Sequence, residues 1–260
     1  MDNDHAGCGA SFQEDAHVKS GAVLVFARRP ELRRVKTRLD VRIGEKPTLS
    51  LYRAFLADTL IAARLSGARV MLAHTPGPDF PERRLADIAF AQRGTTFGER
   101  FDFSLGHTSS MLPDNTHIIL IGADTPQLPP DFLRGALKTL EDYDAVIGPN
   151  DNGGFYLLGF SKRPVAVAQV FTRSAEEEPR ELYRLLKKAK LRTTLLEPQF
   201  DVDLPEDLVR LSRLIDSLER SHADWTPKNT RDLLRSQLLM PITILKGEIS
   251  NNRKLELQLT

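Results

Sequence analysis

Apolar residues along the chain fall into short unbroken runs, and between the runs they recur at helical spacing. A short apolar run bounded by turn residues predicts a strand buried on both faces. Such runs occupy residues 22–26, 68–74, 117–122, 145–148 and 155–160, with shorter candidates at 87–92 and 192–196. Leu51, Phe55, Leu60 and Ala63 share one helical face, with Thr48 as the expected N-cap and Gly67 as the stop. Phe97, Phe101 and Leu105 share another. Further helices are predicted from Pro130 to near Glu141, over 178–189, and from Pro205 to about Arg220. Strands alternating with helices in this way predict an α/β domain, a mainly parallel sheet flanked by helices.

The periodic part spans residues 21–220. Residues 1–20 are polar and aperiodic, which predicts a disordered tail. Nothing in that tail would pre-organise His5, Cys8 and His17 as metal ligands. Residues 221–260 change character, with a helix predicted over 232–239 and a strictly alternating strand over 254–259. This appendage suits an edge cover or a homo-oligomer contact.

Composition narrows the class. Hydrophobic residues make up 41% and charged residues 27% of 260, as in a soluble globular protein with a sizeable core. A net charge of +1 argues against a dedicated nucleic-acid surface. The single cysteine, Cys8, excludes an internal disulfide framework and a multi-cysteine metal site. No run approaches the roughly 20 apolar residues of a membrane span, and the N-terminus lacks a secretory apolar segment. The cytoplasm is the expected compartment.

Candidate chemistry gathers where predicted strands end, because an open α/β sheet binds ligands beyond the carboxyl ends of its strands. The strand at 117–122 stops at Gly122 and leads into Asp124. The first strand runs into a basic stretch containing Arg28, Arg29, Arg33, Arg34, Lys36 and Arg38, a place suited to polyphosphate. His74, alone at a strand end, is expected to be structural. Asn152 with Gly153 and Gly154 forms a hard turn that could lie flat against a sugar or acceptor. Asp201 and Asp203 precede the helix at Pro205. The two are expected to face opposite ways, Asp203 toward a metal, with a helix N-cap as the competing role for Asp203. A basic loop plus carboxylates suits a nucleotide whose phosphates are bridged by Mg²⁺ or Mn²⁺.

Five motifs then occur in one order: Phe26-Ala-Arg with Lys36-Thr-Arg-Leu; Phe97-Gly-Glu-Arg; Ile121-Gly-Ala-Asp-Thr-Pro; Gly153-Gly-Phe-Tyr-Leu-Leu-Gly; and Asp201-Val-Asp-Leu-Pro-Glu-Asp-Leu. Over about residues 22–216 the chain resembles the GT-A-like radical SAM/selenodomain-associated transferase 1 family, also described as arsenosugar-biosynthesis glycosyltransferases. It is more distantly similar to phospholactate guanylyltransferase and molybdenum-cofactor guanylyltransferase. The resemblance implies a GT-A, nucleotide-diphospho-sugar transferase fold, with Ala27, Arg28, Lys36, Arg38 and Arg100 at the nucleotide. It also implies that Asp124 is the metal aspartate, with Asp203 as second ligand and Asp201 as the weaker candidate; Asp124 and Asp203 would be the catalytic pair. The chain departs from the family at Leu32-Arg33, where Pro-Gly is usual, and at Asn152, where Asp is usual.

The expected activity is metal-dependent glycosyl transfer from a nucleotide sugar to a small-molecule acceptor. The alternatives are a nucleotidyltransferase that joins a nucleotide triphosphate to a phosphorylated acceptor, and a non-catalytic nucleotide-binding protein.

Overall fold

A computed structural model of the protein describes residues 21–172 and 178–236. Seven strands form one sheet: β1 (Gly21–Ala27), β2 (Arg69–His74), β3 (Ile88–Ala91), β4 (His117–Gly122), β5 (Ala145–Pro149), β6 (Phe155–Phe160) and β7 (Thr193–Leu195). Their order is β3-β2-β1-β4-β6-β5-β7. Every neighbouring pair is parallel except the two made by β6, which runs antiparallel to β4 and β5. The order reverses direction at β1, which lies between β2 and β4. The switch point lies at β1 and β4, and sheets of this kind hold ligands in the crevice beyond the carboxyl ends of such strands.

The described helices are α1 (Thr37–Ile43), α2 (Glu45–Leu65), α3 (Phe97–Ser110), α4 (Pro130–Thr139), α5 (Glu178–Lys188), α6 (Pro205–Arg220) and α7 (Lys228–Arg235). Alternate side chains of the central strands feed two cores. Val23, Val25, Ile119 and Ile121 pack with α2 and α4 on one face. Ala22, Leu24, Ile118 and Leu120 pack with α3 and α5 on the other. Burial on both faces is why these strands read as unbroken apolar runs. A third cluster joins Leu39 and Ile43 of α1, Leu51 and Phe55 of α2, and Leu208, Leu211 and Ile215 of α6 around Phe200 and Val202. It brings the segment before α6 under the crevice.

Three expectations are corrected. Part of the stretch after β1, expected as loop, is the helix α1. The helix α2 starts at Glu45 rather than after Thr48, because Gly44 adopts φ 85° and lets α1 and α2 follow directly. Thr48 is consequently buried, and its hydroxyl lacks a hydrogen-bond partner. The last described helix is Lys228–Arg235, four residues upstream of its predicted start at 232. Its entry is set by Asp58 of α2, whose carboxylate accepts from Asn229 N, Asn229 Nδ2 and Thr230 N at 3.1, 2.8 and 2.7 Å. Leu233 and Leu234 pack on the third core. The predicted tail at 1–20 and strand at 254–259 lie outside the described residues. No described helix is long and apolar enough to cross a membrane.

Candidate active site

Asp124 follows β4 by two residues, and its backbone carbonyl accepts from Val202 N at 2.9 Å. Gln127 Nε2 donates to the Phe200 carbonyl at 2.8 Å. These two bonds lash the segment before α6 to the loop after β4, so acids far apart in sequence meet. Lys36 completes the group. Its Nζ lies 2.7 Å from Asp124 Oδ1 and 2.6 Å from Asp203 Oδ1. The lysine side chain is 5% exposed, whereas the two carboxylates are 43% and 41% exposed. Burial alone would push this ammonium down, but Asp124 and Asp203 hold it above its ordinary value. Lys36 adopts φ 47°, a left-handed conformation that non-glycine residues keep only where their surroundings impose it.

Asp201 stands behind this pair. Asn150 Nδ2 donates to its Oδ2 at 2.6 Å, and Thr125 Oγ1 to its Oδ1 at 3.4 Å. Burial, with Asp124 and Asp203 nearby, pushes its carboxyl up to about 7. The expectation that Asp201 and Asp203 face opposite ways is corrected. Residues two apart in an extended segment share a face, and both carboxylates lie close enough to Asp124 and Lys36 to couple with them. Asp124 with Asp203 is the expected metal pair, and Asp201 the weaker candidate. Among the described residues, no three His, Cys, Asp or Glu side chains converge closely enough to hold a metal ion. Asp201 is engaged by Asn150 and Thr125, which leaves Asp124 and Asp203 as the solvent-facing pair. Asp203 is not the cap of α6. The Asp207 carboxylate accepts from Asp203 N and Leu204 N at 3.0 and 2.8 Å, and Leu204 is the N-cap.

The cluster fits a divalent cation in three respects. Asp124 and Asp203 both pair with one ammonium, so two carboxylates outnumber one cation. Both carboxylates are open to solvent, while the cationic nitrogen they share is buried. Mg²⁺ and Mn²⁺ are commonly held by one or two carboxylates with the rest of the shell left to phosphate and water.

The remaining expected residues surround this centre at different distances from it. Ala27 ends β1, and its carbonyl accepts from Gln92 Nε2 at 3.0 Å; the same amide donates to Ala73 O at 2.9 Å. Arg28 is exposed, with its backbone N–H donating to Tyr52 Oη and its carbonyl accepting from that hydroxyl, both at 2.9 Å. Burial raises the Tyr52 phenol well above its ordinary value, and the nearby Asp124 charge adds to the shift. Arg38 is exposed in the first turn of α1 and has no hydrogen bond or ion pair with another described side chain. Arg100 sits in the first turn of α3, its Nη1 3.4 Å from Thr95 O and its buried Nε without a partner. It makes no contact with the lysine–aspartate cluster. Glu99 of the same motif caps α3 through Thr95 and Thr96.

Asn152 is exposed at the β5–β6 turn, where Gly153 and Gly154 adopt φ 95° and 75°. The turn connects to the acid cluster through Asn150, whose N–H donates to Gly154 O at 3.1 Å. Asp151 is fixed by Arg210 at 2.5 Å, and that guanidinium stacks 3.9 Å above the Phe200 ring. His74 is buried, with Nδ1 2.9 Å from Thr75 O and its ring edge-on to Phe80.

Sequence reasoning missed Tyr52, Thr125, Asn150 and Gln92. Asn150 and Thr125 carried a local signal, the first in the Pro149-Asn-Asp-Asn turn and the second in the Ile121-Gly-Ala-Asp-Thr-Pro motif. The others act through partners distant in sequence.

The sheet order and the crevice define a protein with the nucleotide-diphospho-sugar transferase, GT-A-like fold. A solved structure from Desulfovibrio desulfuricans, provisionally named a nucleotide-diphospho-sugar transferase, superimposes with a TM-score of 0.73 at 29% identity, covering 86% of this chain and 97% of that one. The chain thereby shares the fold of that class of transferases. More particularly, residues 56–175 match the family described as "Uncharacterized protein conserved in bacteria (DUF2064)". Two further structures are more distant. CMP:2-keto-3-deoxy-manno-octonic acid synthetase complexed with CTP gives a TM-score of 0.43 at 17% identity, covering 76% of this chain and 99% of that one. The 2-C-methyl-D-erythritol 4-phosphate cytidylyltransferase of Thermus thermophilus gives 0.41 at 16%, covering 76% and 98%. Neither is similar enough to bear on what this chain does. No curated protein sequence matches the chain.

Proposed function

We propose that the chain is a divalent-metal-dependent glycosyltransferase acting on a nucleotide sugar. The observation that carries this reading is the convergence of Asp124 and Asp203, both half-exposed, on one cationic nitrogen at the carboxyl end of the central strands. Asp124 and Asp203 would hold Mg²⁺ or Mn²⁺. The metal's chemistry there is to neutralise the charge that builds on a departing nucleoside diphosphate. Lys36 and the exposed Arg38 and Arg28 would bind the donor's phosphates. Asn152, Gly153 and Gly154 would line the acceptor side, held in place through Asn150 and Asp151. The ordered motifs support the arsenosugar-type transferase family as the finer form of this reading.

A second reading is nucleotidyl transfer from a nucleoside triphosphate with release of pyrophosphate. The exposed guanidinium groups around Lys36 favour it, since they add more positive charge than a metal-bound diphosphate requires. One experiment separates the two. The protein is incubated with Mn²⁺ and either sugar nucleotides or nucleoside triphosphates, and free nucleoside diphosphate and pyrophosphate are measured. Diphosphate release from a sugar nucleotide supports the first reading and pyrophosphate release the second. Tight nucleotide binding with neither product would overturn both in favour of a non-catalytic nucleotide-binding protein.

A further inference from the structure

We propose that the Lys36 ammonium is the resident cation of the Asp124–Asp203 pair, and that a divalent ion enters only by displacing it. The inference rests on the metal-dependent reading above and adds to it how the site is regulated. Lys36 Nζ lies 2.7 and 2.6 Å from one oxygen of each carboxylate. Mg²⁺ needs oxygens at roughly 2.0–2.1 Å and tolerates little deviation. An ion drawn into the same oxygen pair would be pressed against the ammonium, and two like charges at that separation repel strongly. The ammonium is also the buried partner at 5% exposure, while the carboxylates face solvent. Exchange therefore has an entry side.

The backbone fits this exchange. Lys36 is a non-glycine residue at φ 47° and ψ 42°, directly before α1. The two ion pairs hold the side chain inward from this conformation. Released from them, the ammonium would still sit at the entry to α1, two residues before the exposed Arg38. A nucleotide phosphate arriving with the metal would give it a new partner. Metal and phosphate then bind cooperatively, and by linkage each strengthens the other by the same factor. Metal alone binds weakly, because it must strip Lys36 of two carboxylates and offers nothing in return.

The test uses Mn²⁺ alone as the probe, with free Mn²⁺ followed by electron paramagnetic resonance on the whole chain. Lys36→Met is expected to bind Mn²⁺ at least about tenfold tighter than the unmutated protein, and Asp124→Asn in either background is expected to abolish that binding. Equal or weaker Mn²⁺ affinity in Lys36→Met, with binding still dependent on Asp124, overturns the exchange and leaves the metal reading standing. Binding indifferent to Asp124 overturns both. A second measurement needs no variant at Lys36. Acetic anhydride labelling of Lys36, compared with the exposed Lys46 by mass spectrometry, should be slow without metal and rise several-fold when Mn²⁺ saturates the site. An unchanged labelling ratio at saturating Mn²⁺ overturns the proposal.

Discussion

Asp203 and Asp207 lie four residues apart at the entry to α6, and replacing each should cost different things. The Asp207 carboxylate accepts two backbone N–H bonds, from Asp203 at 3.0 Å and Leu204 at 2.8 Å. Losing a helix-entry acceptor of this kind costs roughly 0.5–2 kcal/mol. For a chain of this size, 1 kcal/mol lowers the melting temperature by about 2–4 °C, so Asp207→Ala should melt several degrees lower. Asp203 accepts no backbone bond that holds the helix. Its carboxylate is 41% exposed, and Asp124 keeps the buried Lys36 ammonium paired when Asp203 is neutralised, so the loss stays near that of a surface pair, about 1 kcal/mol or less. Removing its charge also relieves repulsion with Asp124 and Asp201, which offsets part of that loss. Asp203→Asn should therefore melt within a degree or two of the unmutated protein and lose the Mn²⁺-dependent part of nucleotide binding. Asp207→Ala should keep that part. The assay is a thermal melt paired with nucleotide titration in the presence and absence of Mn²⁺. If Asp203→Asn melts as low as Asp207→Ala while its Mn²⁺-dependent binding is intact, Asp203 is a structural residue and the two-carboxylate metal site is wrong.

Arg38→Ala should weaken nucleotide binding about tenfold or more, because a charge-assisted bond contributes on the order of 1.5–3 kcal/mol. A nucleoside without phosphates should not sense this change, and an equal loss for both ligands would refute the phosphate role. Asp58→Ala removes three hydrogen bonds that tie α7 to α2 and should lower unfolding free energy by about 3 kcal/mol, less than a sum of separate bonds at the upper end of their range. Burial raises the Asp58 carboxyl in the fold, so the folded chain binds that proton more tightly than the unfolded one. The Asp58 contribution is then fully present below the ordinary aspartate range and declines as pH rises through the raised value. Urea unfolding across that range should show the gap between the two proteins narrowing as pH rises; a widening gap would refute the assignment.

Much of the sheet was legible because β1 and β4 are buried on both faces, and burial on both faces demands an apolar residue at nearly every position of a strand. The placement of Asp124 followed from the same pattern, since a strand end in a parallel sheet has a known relation to ligands. The helix α1 was not legible. Only Leu39 and Ile43 of its seven residues are buried, so its single apolar pair was lost in a charged stretch. Tyr52 carried no signal beside the apolar face of Leu51, Phe55, Leu60 and Ala63. Its polar role comes from the Arg28 backbone, 24 residues away.

The basic stretch after β1 shows most clearly why position in space outweighs a count of charges. Arg29 pairs with Glu31 and Arg33 with Glu45, so two of its six cations are neutralised by nearby acids. Lys36 is turned inward to acids about 90 and 170 residues further along the chain. What the sequence presents as a positive loop awaiting phosphate is, at its centre, a negative cluster already holding a cation. Arg28, Arg34 and Arg38 keep their charge toward solvent at its rim. A ligand that satisfies both zones must bring its own cation to the carboxylates and its own anions to the guanidinium groups. A metal-bound nucleotide diphosphate meets that condition. A bare metal ion or a bare phosphate meets only half of it, which is why the two are expected to bind together far better than either alone.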